Sequence, residues 1–425
     1  MSEQSAAAGP IKSSSGWRIL LALALGLGVG VAAAGLGDGW RDPAVRWAQA
    51  IGGVWLDALK VTVIPLIVAL LVSGIVGGAK AASGSRVAAR SILWFFVILT
   101  LSAIFGGLMM PALLQAFPLP DSAAEALRAG LAGVDKAATS ASVPSATDYL
   151  RSVVPSNVFA AAVNDQILPL TLFTAFFALA MTRIEPAKRD TLADFFQSIE
   201  KTMLVMIAWV LWIAPVGVFA LAFALGAGAG ASAFGAVLHY VVLVSLLGIL
   251  LTIAAYGIAV VFAGWKLTDF AKAMIPPQAV ALSTQSSLAS LPAMVGAARA
   301  LGVKEENSDV TLPLAVALFR ATGPAMNIGV AIYVAYWVGA DLGPWQLAAG
   351  IAMASVASYW AVSLPGSLSF VTSIAPIALA MGLPVEPLAI LIAVETFPDI
   401  FRTLGNVTMD VAVTGAAAGK DRAQN

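Results

Sequence analysis

Apolar residues run along this chain in long stretches instead of alternating with polar ones. Apolar-dominated runs occupy roughly residues 17–36, 51–79, 91–117, 153–182, 199–225, 236–264, 310–339 and 385–415. Each is long enough to cross a hydrocarbon layer as a helix, which takes about 20 residues. Eight spanning helices are therefore predicted. Two more apolar stretches, 266–308 and 344–380, are interrupted by polar or Pro/Gly clusters: "LSTQSSLASLP" at 282–292 and "VSLPGSLS" at 362–369. The halves are too short to span singly, so each stretch predicts a re-entrant helical hairpin. Non-helical backbone at that depth is tolerated only against protein or a water-filled cavity. Two broken stretches, each followed by a full span, predict inverted repeats with a binding site near mid-membrane.

Composition strengthens this picture. The chain is 60% hydrophobic and only 11% charged, with mean hydropathy +0.91, as expected of a surface solvated mainly by lipid. A formal net charge of zero gives no basis for nucleic-acid binding. With no cysteine, disulfides and thiolate metal sites are excluded. Residues 1–16 are polar and predict a disordered tail. The apolar run that follows lacks a convincing cleavage site, so it reads as a first span and not as a signal peptide. Lys80, Arg86, Arg90, Arg183, Lys188, Arg189, Lys266, Lys272, Arg299 and Lys304 cluster in one set of connections. By the positive-inside tendency these face the cytoplasm, and both termini with them. The first hairpin then enters from inside and the second from outside.

The chemistry concentrates in "VETFPDIFRTLGNVTMD", residues 394–410. Glu395, Asp399, Arg402, Asn406 and Asp410 follow at intervals of four, three, four and four, which places all five on one helical face. Charges inside a span face a bundle interior or cavity and mark solute or ion pathways. The bland reading is an internal salt-bridge ladder, Asp399 with Arg402 and Asp410 capping it, that merely holds helices together. The functional reading is a site: Arg402 offers a planar fork matched to a carboxylate, Asp399 accepts from an ammonium, and Thr403 and Asn406 add neutral hydrogen bonds.

Several stretches together resemble the glutamate transporter homologues of the dicarboxylate/amino acid:cation symporter family. "VIPLIVALLVSGIVGG", "VPSNVFAAAVNDQILPL" and "APVGVFAL" are similar to its second, fourth and fifth spans. "SSLASLP" and "SLPGS" resemble its two hairpin tips. "DIFRTLGNVTMD" matches its Asp-x-x-Arg-Thr-x-x-Asn-x-x-x-Asp pattern. The resemblance implies an all-α polytopic membrane protein of the elevator-type glutamate transporter fold, with eight transmembrane helices plus two re-entrant hairpins. It implies a homotrimer in the inner membrane of a bacterium. Scaffold would comprise 17–85 and 151–225, and the transport domain 86–117 and 226–415; 118–150 would be an external loop and 416–425 a cytoplasmic tail. It further implies substrate-binding roles for Ser286, Ser287, Ser363, Pro365, Gly366, Asp399, Arg402, Thr403 and Asn406. Keeping both Asp399 and Arg402 points to an acidic amino acid, with C4-dicarboxylates or another anionic solute as the alternative.

The chain departs from the family where cations are held. An ungapped alignment puts Phe319, Arg320, Ala321, Thr322 and Gly323 on the family's Asn-Met-Asp-Gly-Thr, and Phe95, Ile98 and Leu99 on its Tyr, Thr and Ser. Hard cations need oxygen ligands, and these side chains supply almost none. Met to Arg and Asp to Ala together add two units of positive charge, the charge of two sodium ions. Arg320 is accordingly expected to be a tethered cation and sodium coupling is not expected. An isolated arginine at mid-membrane costs on the order of 3 kcal/mol, which pairing with Glu395, Asp399 or Asp410 offsets. Three alternatives stay open: Arg320 as a second carboxylate clamp, Arg320 as a pairing residue while sodium uses Asp410, and a shifted register that promotes Asn327. Glu395 and Asp410 are the coupling candidates, because a carboxylate in a low-dielectric cavity can carry a proton. No cofactor or metal is expected. "SSLAS" has no His or Lys at a comparable polar break, so no enzymatic activity is expected. His239 reads as a packing residue, and Pro398 is expected to free the Val394 carbonyl and bend the last helix.

Overall fold

The computed structural model describes residues 15–34, 38–82, 86–119, 155–164, 166–229, 232–358 and 367–418. Among them there is no strand. The expected loop 118–150, the tails 1–14 and 419–425, and Ser363, Pro365 and Gly366 of the second hairpin lie outside the described residues, apart from residues 118 and 119.

The first three helices are α1 (Ser15–Ala34), α2 (Asp38–Ala82) and α3 (Arg86–Ala116). The run 153–182, expected as one span, is divided into α4 (Val158–Val163) and α5 (Ile167–Met181). Asn157 caps α4 by accepting from the Phe159 and Ala160 N–H groups at 2.9 and 3.1 Å. The run 199–225 also divides, into α6 (Pro186–Trp212) and α7 (Ala214–Ala229). Pro215 has no N–H to give the Leu211 carbonyl and disfavours a helical residue before it; Ile213 N–H takes that carbonyl instead.

Helices α1, α2, α5, α6 and α7 pack on one another, with α1 against α7 the most extensive contact. Small residues explain it. A Cβ on Gly30 would lie 2.4 Å from the Phe223 carbonyl oxygen, and one on Gly26 2.6 Å from that of Phe219. Backbones approach this closely in lipid only where side chains are absent. Gly30→Leu is expected to destabilise the protein by about 1–3 kcal/mol through overpacking. Gly28, with nothing within 4 Å of its would-be Cβ, provides the control, and thermal unfolding in detergent should separate the two variants.

Most of the remaining helices form the second assembly with α3: α8 (Ser232–Val261), α9 (Leu267–Thr284), α10 (Ser287–Ala300), α11 (Glu305–Leu318), α12 (Gly323–Val338), α13 (Pro344–Ala357), α14 (Ser367–Ala380) and α16 (Thr396–Ala418), while the short α15 (Leu388–Leu391) lies against α7. Helices α9 and α10 lie against each other across a turn at Gln285, whose φ of 51° is left-handed. Helices α13 and α14 also pack together. The run 310–339 is broken between α11 and α12, as "Gly-Pro" predicts. Pro324 cannot donate to the Arg320 carbonyl, which accepts from Gly323 N–H at 2.9 Å.

The last helix differs from expectation at both ends. It begins at Thr396, so Pro398 sits in its first turn, where a missing donor costs nothing. The Val394 carbonyl is not freed: Phe397 N–H reaches it at 3.1 Å. At the other end α16 runs to Ala418, into the expected tail. Among the described residues, Val87–Ala116, Pro186–Trp212, Phe234–Val261 and the broken Glu305–Val338 are long and apolar enough to cross a membrane. Leu21–Ala34, Ile64–Gly77, Pro169–Met181 and Ala214–Ala227 are shorter apolar segments.

Candidate functional site

Helix α16 carries the polar stripe into the second assembly, where it packs against α3, α8, α9, α10 and α11. Arg402, Thr403, Asn406 and Asp410 are buried on it, and Glu395 is buried one residue before it. Four of the five stripe residues therefore share the helix, while Glu395 reaches the same site from the preceding turn. Arg402 Nη1 is ion-paired with Glu395 Oε1 and donates to Asp399 Oδ1 at 3.1 Å. Tyr240 of α8 donates to Glu395 Oε2 at 3.2 Å.

The Asp399–Arg402 pair of the bland reading is present, joined by Glu395 and not by Asp410, but it leaves half of the guanidinium unused. Arg402 Nε and Nη2 are buried with no hydrogen-bond partner among the described residues. A buried donor left unsatisfied costs about 1–3 kcal/mol, more when charged. These two N–H groups lie along one edge of the planar fork, the edge that grips a carboxylate bidentately. The site thus combines a held edge with an open one.

A second element completes it. In the α11–α12 break, Thr322 N–H donates to Asn406 Oδ1 at 2.9 Å. The Thr322 hydroxyl lies 2.8 Å from the same oxygen and 2.9 Å from the Arg402 carbonyl. Ser102 of α3 donates to the Ala321 carbonyl at 2.6 Å. Arg320, in the same break, interacts electrostatically with Asp399 and Asp410 and is opposed by Arg402. Both Asp410 oxygens are buried without a hydrogen bond among the described residues, and Arg320 is the charge that acts on them.

Phe95, Ile98, Leu99, Phe319 and Ala321, the residues at the aligned cation positions, are all buried in one apolar cluster with Met409 and Val413. The Phe95 and Phe319 rings stack with centroids 4.4 Å apart and planes 12° apart. Hydrocarbon thus fills this region. Among the described residues no group of three or more His, Asp or Glu side chains is gathered to hold a metal ion.

The first hairpin tip meets the site through Gln285, whose Nε2 donates to the Thr396 carbonyl at 3.3 Å. Ser286 is partly buried and its hydroxyl caps α10 by accepting from Ala289 N–H at 3.2 Å, which keeps its own O–H free to donate. Ser287 opens α10 beside it. Sequence reasoning missed Tyr240, Gln285 and Thr322. Tyr240 shares its apolar run with Ser245, Thr252 and Tyr256, so nothing in the sequence singled it out, and all three missed residues acquire their partners only through packing. His239 is a packing residue, as expected: its ring nitrogens meet Tyr333 OH at 3.1 Å and the Phe117 carbonyl at 2.8 Å.

Apolar helices of spanning length, around a buried polar cluster where a helix break faces a charged stripe, define a multi-pass membrane protein. The chain belongs to the sodium:dicarboxylate symporter family, whose model matches residues 16–419. The family is one of transporters, not enzymes. The proton/glutamate-aspartate symporter of Escherichia coli (strain K12) is 28% identical over 403 residues, covering 93% of this chain and 90% of the relative. The proton/sodium-glutamate symport protein of Bacillus subtilis (strain 168) is 28% identical, covering 85% and 83%. A C4-dicarboxylate transport protein of Rhodopseudomonas palustris (strain ATCC BAA-98 / CGA009) is 26% identical, covering 87% and 82%.

Proposed function

We propose that the protein is a secondary transporter of acidic amino acids, aspartate or glutamate, working without sodium. The open Nε–Nη2 edge of Arg402 carries the reading, since a buried fork with two unused parallel donors calls for an anionic partner. Asp399 accepts the ammonium, Thr403 and Asn406 supply neutral contacts, and Ser286 and Ser287 close the first hairpin side. Ser363, Pro365 and Gly366 close the second. Arg320 acts as the tethered cation: its charge acts on Asp399 and Asp410, while stacked phenylalanines occupy the aligned cation positions. The second assembly, with α3, moves as the transport domain of an elevator against a scaffold of α1, α2 and α4–α7, in a homotrimer of the inner membrane with both termini cytoplasmic. Glu395 and Asp410 are the carriers if a proton is coupled.

One observation favours a second reading. Asp399 is already engaged by Arg402 at 3.1 Å, which competes with an ammonium and suits a C4-dicarboxylate. Liposome flux decides between them. Aspartate uptake is expected to be the same in choline and sodium buffers, and to exceed that of succinate. Sodium strengthening aspartate binding by orders of magnitude would falsify the tethered-cation assignment. Preference for succinate would overturn the amino-acid assignment, and flux driven by a pH gradient would separate proton symport from exchange.

A further inference from the structure

The peptide group joining Ala321 to Thr322 is gripped from both sides. Its carbonyl accepts from Ser102 of α3 at 2.6 Å, and its N–H donates to Asn406 of α16 at 2.9 Å. A peptide unit is planar, so fixing its two polar atoms fixes the orientation of the whole group. Ser102, Ala321, Thr322 and Asn406 are all buried, so losing either bond would strand a polar atom away from water.

We infer that Thr322 is a positioning residue that decides which end of the Asn406 amide the solute meets. The Thr322 N–H is a donor and nothing else. The amide must answer it with Oδ1, because turning over would press NH2 against N–H. The Thr322 hydroxyl, 2.8 Å from Oδ1 and 2.9 Å from the Arg402 carbonyl, has one proton to give, and donated to Oδ1 it reinforces the same choice. With Oδ1 committed to the break, the NH2 group is what Asn406 has left to offer. That donor joins the open Arg402 edge, one helical turn away.

Residue 405 shows how closely the parts are fitted. A Cβ on Gly405 would lie 2.4 Å from Thr322 Cγ2 and 3.1 Å from Thr252 Oγ1. Only glycine lets the break come near enough for Thr322 to reach Asn406. An amide locked this way donates to anions and withholds its oxygen from cations. Thr322 thereby sets the sign of charge that this position recognises.

The inference rests on the reading that the site takes an acidic solute. The test is calorimetric titration of the full-length protein in nanodiscs with L-aspartate and with succinate as probes. Thr322→Val removes the hydroxyl at nearly constant shape and is expected to weaken both probes about tenfold, the effect of one lost hydrogen bond to a functional amide. Thr322→Ser keeps the hydroxyl and should bind like the unaltered protein. In flux measurements the valine variant should raise KM and spare the maximal rate. A valine variant that binds normally overturns the inference, whatever its melting temperature.

If Thr322→Val does not fold, Asn406→Asp decides. It keeps an oxygen for Thr322 but turns an oxygen instead of NH2 towards the solute. Loss of aspartate binding by about a hundredfold or more supports the inference; unchanged binding overturns it. Unaltered protein that binds neither probe overturns the acidic-solute reading and this inference with it. Normal binding with unaffected variants overturns the inference alone.

Discussion

Arg402→Gln is expected to abolish measurable solute binding while the protein still folds. Truncating one partner of a buried, hydrogen-bonded charge pair costs about 2–5 kcal/mol, which is roughly 30- to 5,000-fold in affinity. Two losses add here. The solute carboxylate forfeits the Nε–Nη2 edge, now buried and unspent. Glu395 and Asp399, both held by Nη1, are also left facing each other and the incoming anion. Arg402→Lys is the sharper variant. An ammonium can satisfy Glu395 as a point charge but presents no second pair of parallel donors, so binding should fall well below that of the unaltered protein even though the charge is kept. Titration with aspartate, with thermal unfolding as the check on folding, measures both. Retention of affinity in the lysine variant would mean that charge, not the fork, is what the site requires.

Restoring the family's pattern at the break is expected to be harmful. Arg320→Met with Ala321→Asp moves the local charge by two units towards negative. At an effective dielectric constant of about 20, unit charges about 8 Å apart interact by about 2 kcal/mol. The variant loses the attraction of Arg320 for Asp399 and Asp410 and gains a carboxylate, while relief from Arg402 repulsion returns part of the difference. Aspartate affinity in choline buffer should fall on the order of a hundredfold. Sodium should not restore it, because Phe95, Ile98 and Leu99 still offer no oxygen. Unchanged affinity in choline would remove Arg320 from the role of fixed cation. Recovery on adding sodium would show that the apolar cluster can open to a cation shell.

Much of the fold was legible because lipid imposes a simple rule on sequence. Residues that face hydrocarbon must be apolar over about 20 positions, so the helical runs could be found by length alone. Breaks within runs were harder to see. "Gly-Pro" at 323–324 lies at one break, where Pro324 cannot donate to the Arg320 carbonyl. Pro215 and the Asn157–Asn164 segment divide two other runs that are continuous by hydropathy, because hydropathy does not register a missing N–H or a capping amide. Pro398 misled in the opposite direction: a proline bends a helix only in its interior, and the start of α16 at Thr396 makes it a first-turn residue.

The stripe from Asp399 to Asp410 on α16 was determined by sequence alone, because a three-four-four spacing selects one face whatever surrounds the helix, whereas Glu395 lies just before the helix. The apolar character of positions 95, 98, 99, 319 and 321 was equally legible, since no packing can make a phenylalanine side chain a ligand for a hard ion. What only the tertiary structure decided is how those groups are spent. Glu395 and Asp399 occupy one end of Arg402 and leave the other open, Tyr240 comes from a distant helix to hold Glu395, and Thr322 claims the oxygen of Asn406. A hydrogen bond needs two atoms about 3 Å apart, and helical periodicity places residues on a face without saying which neighbour will meet them there.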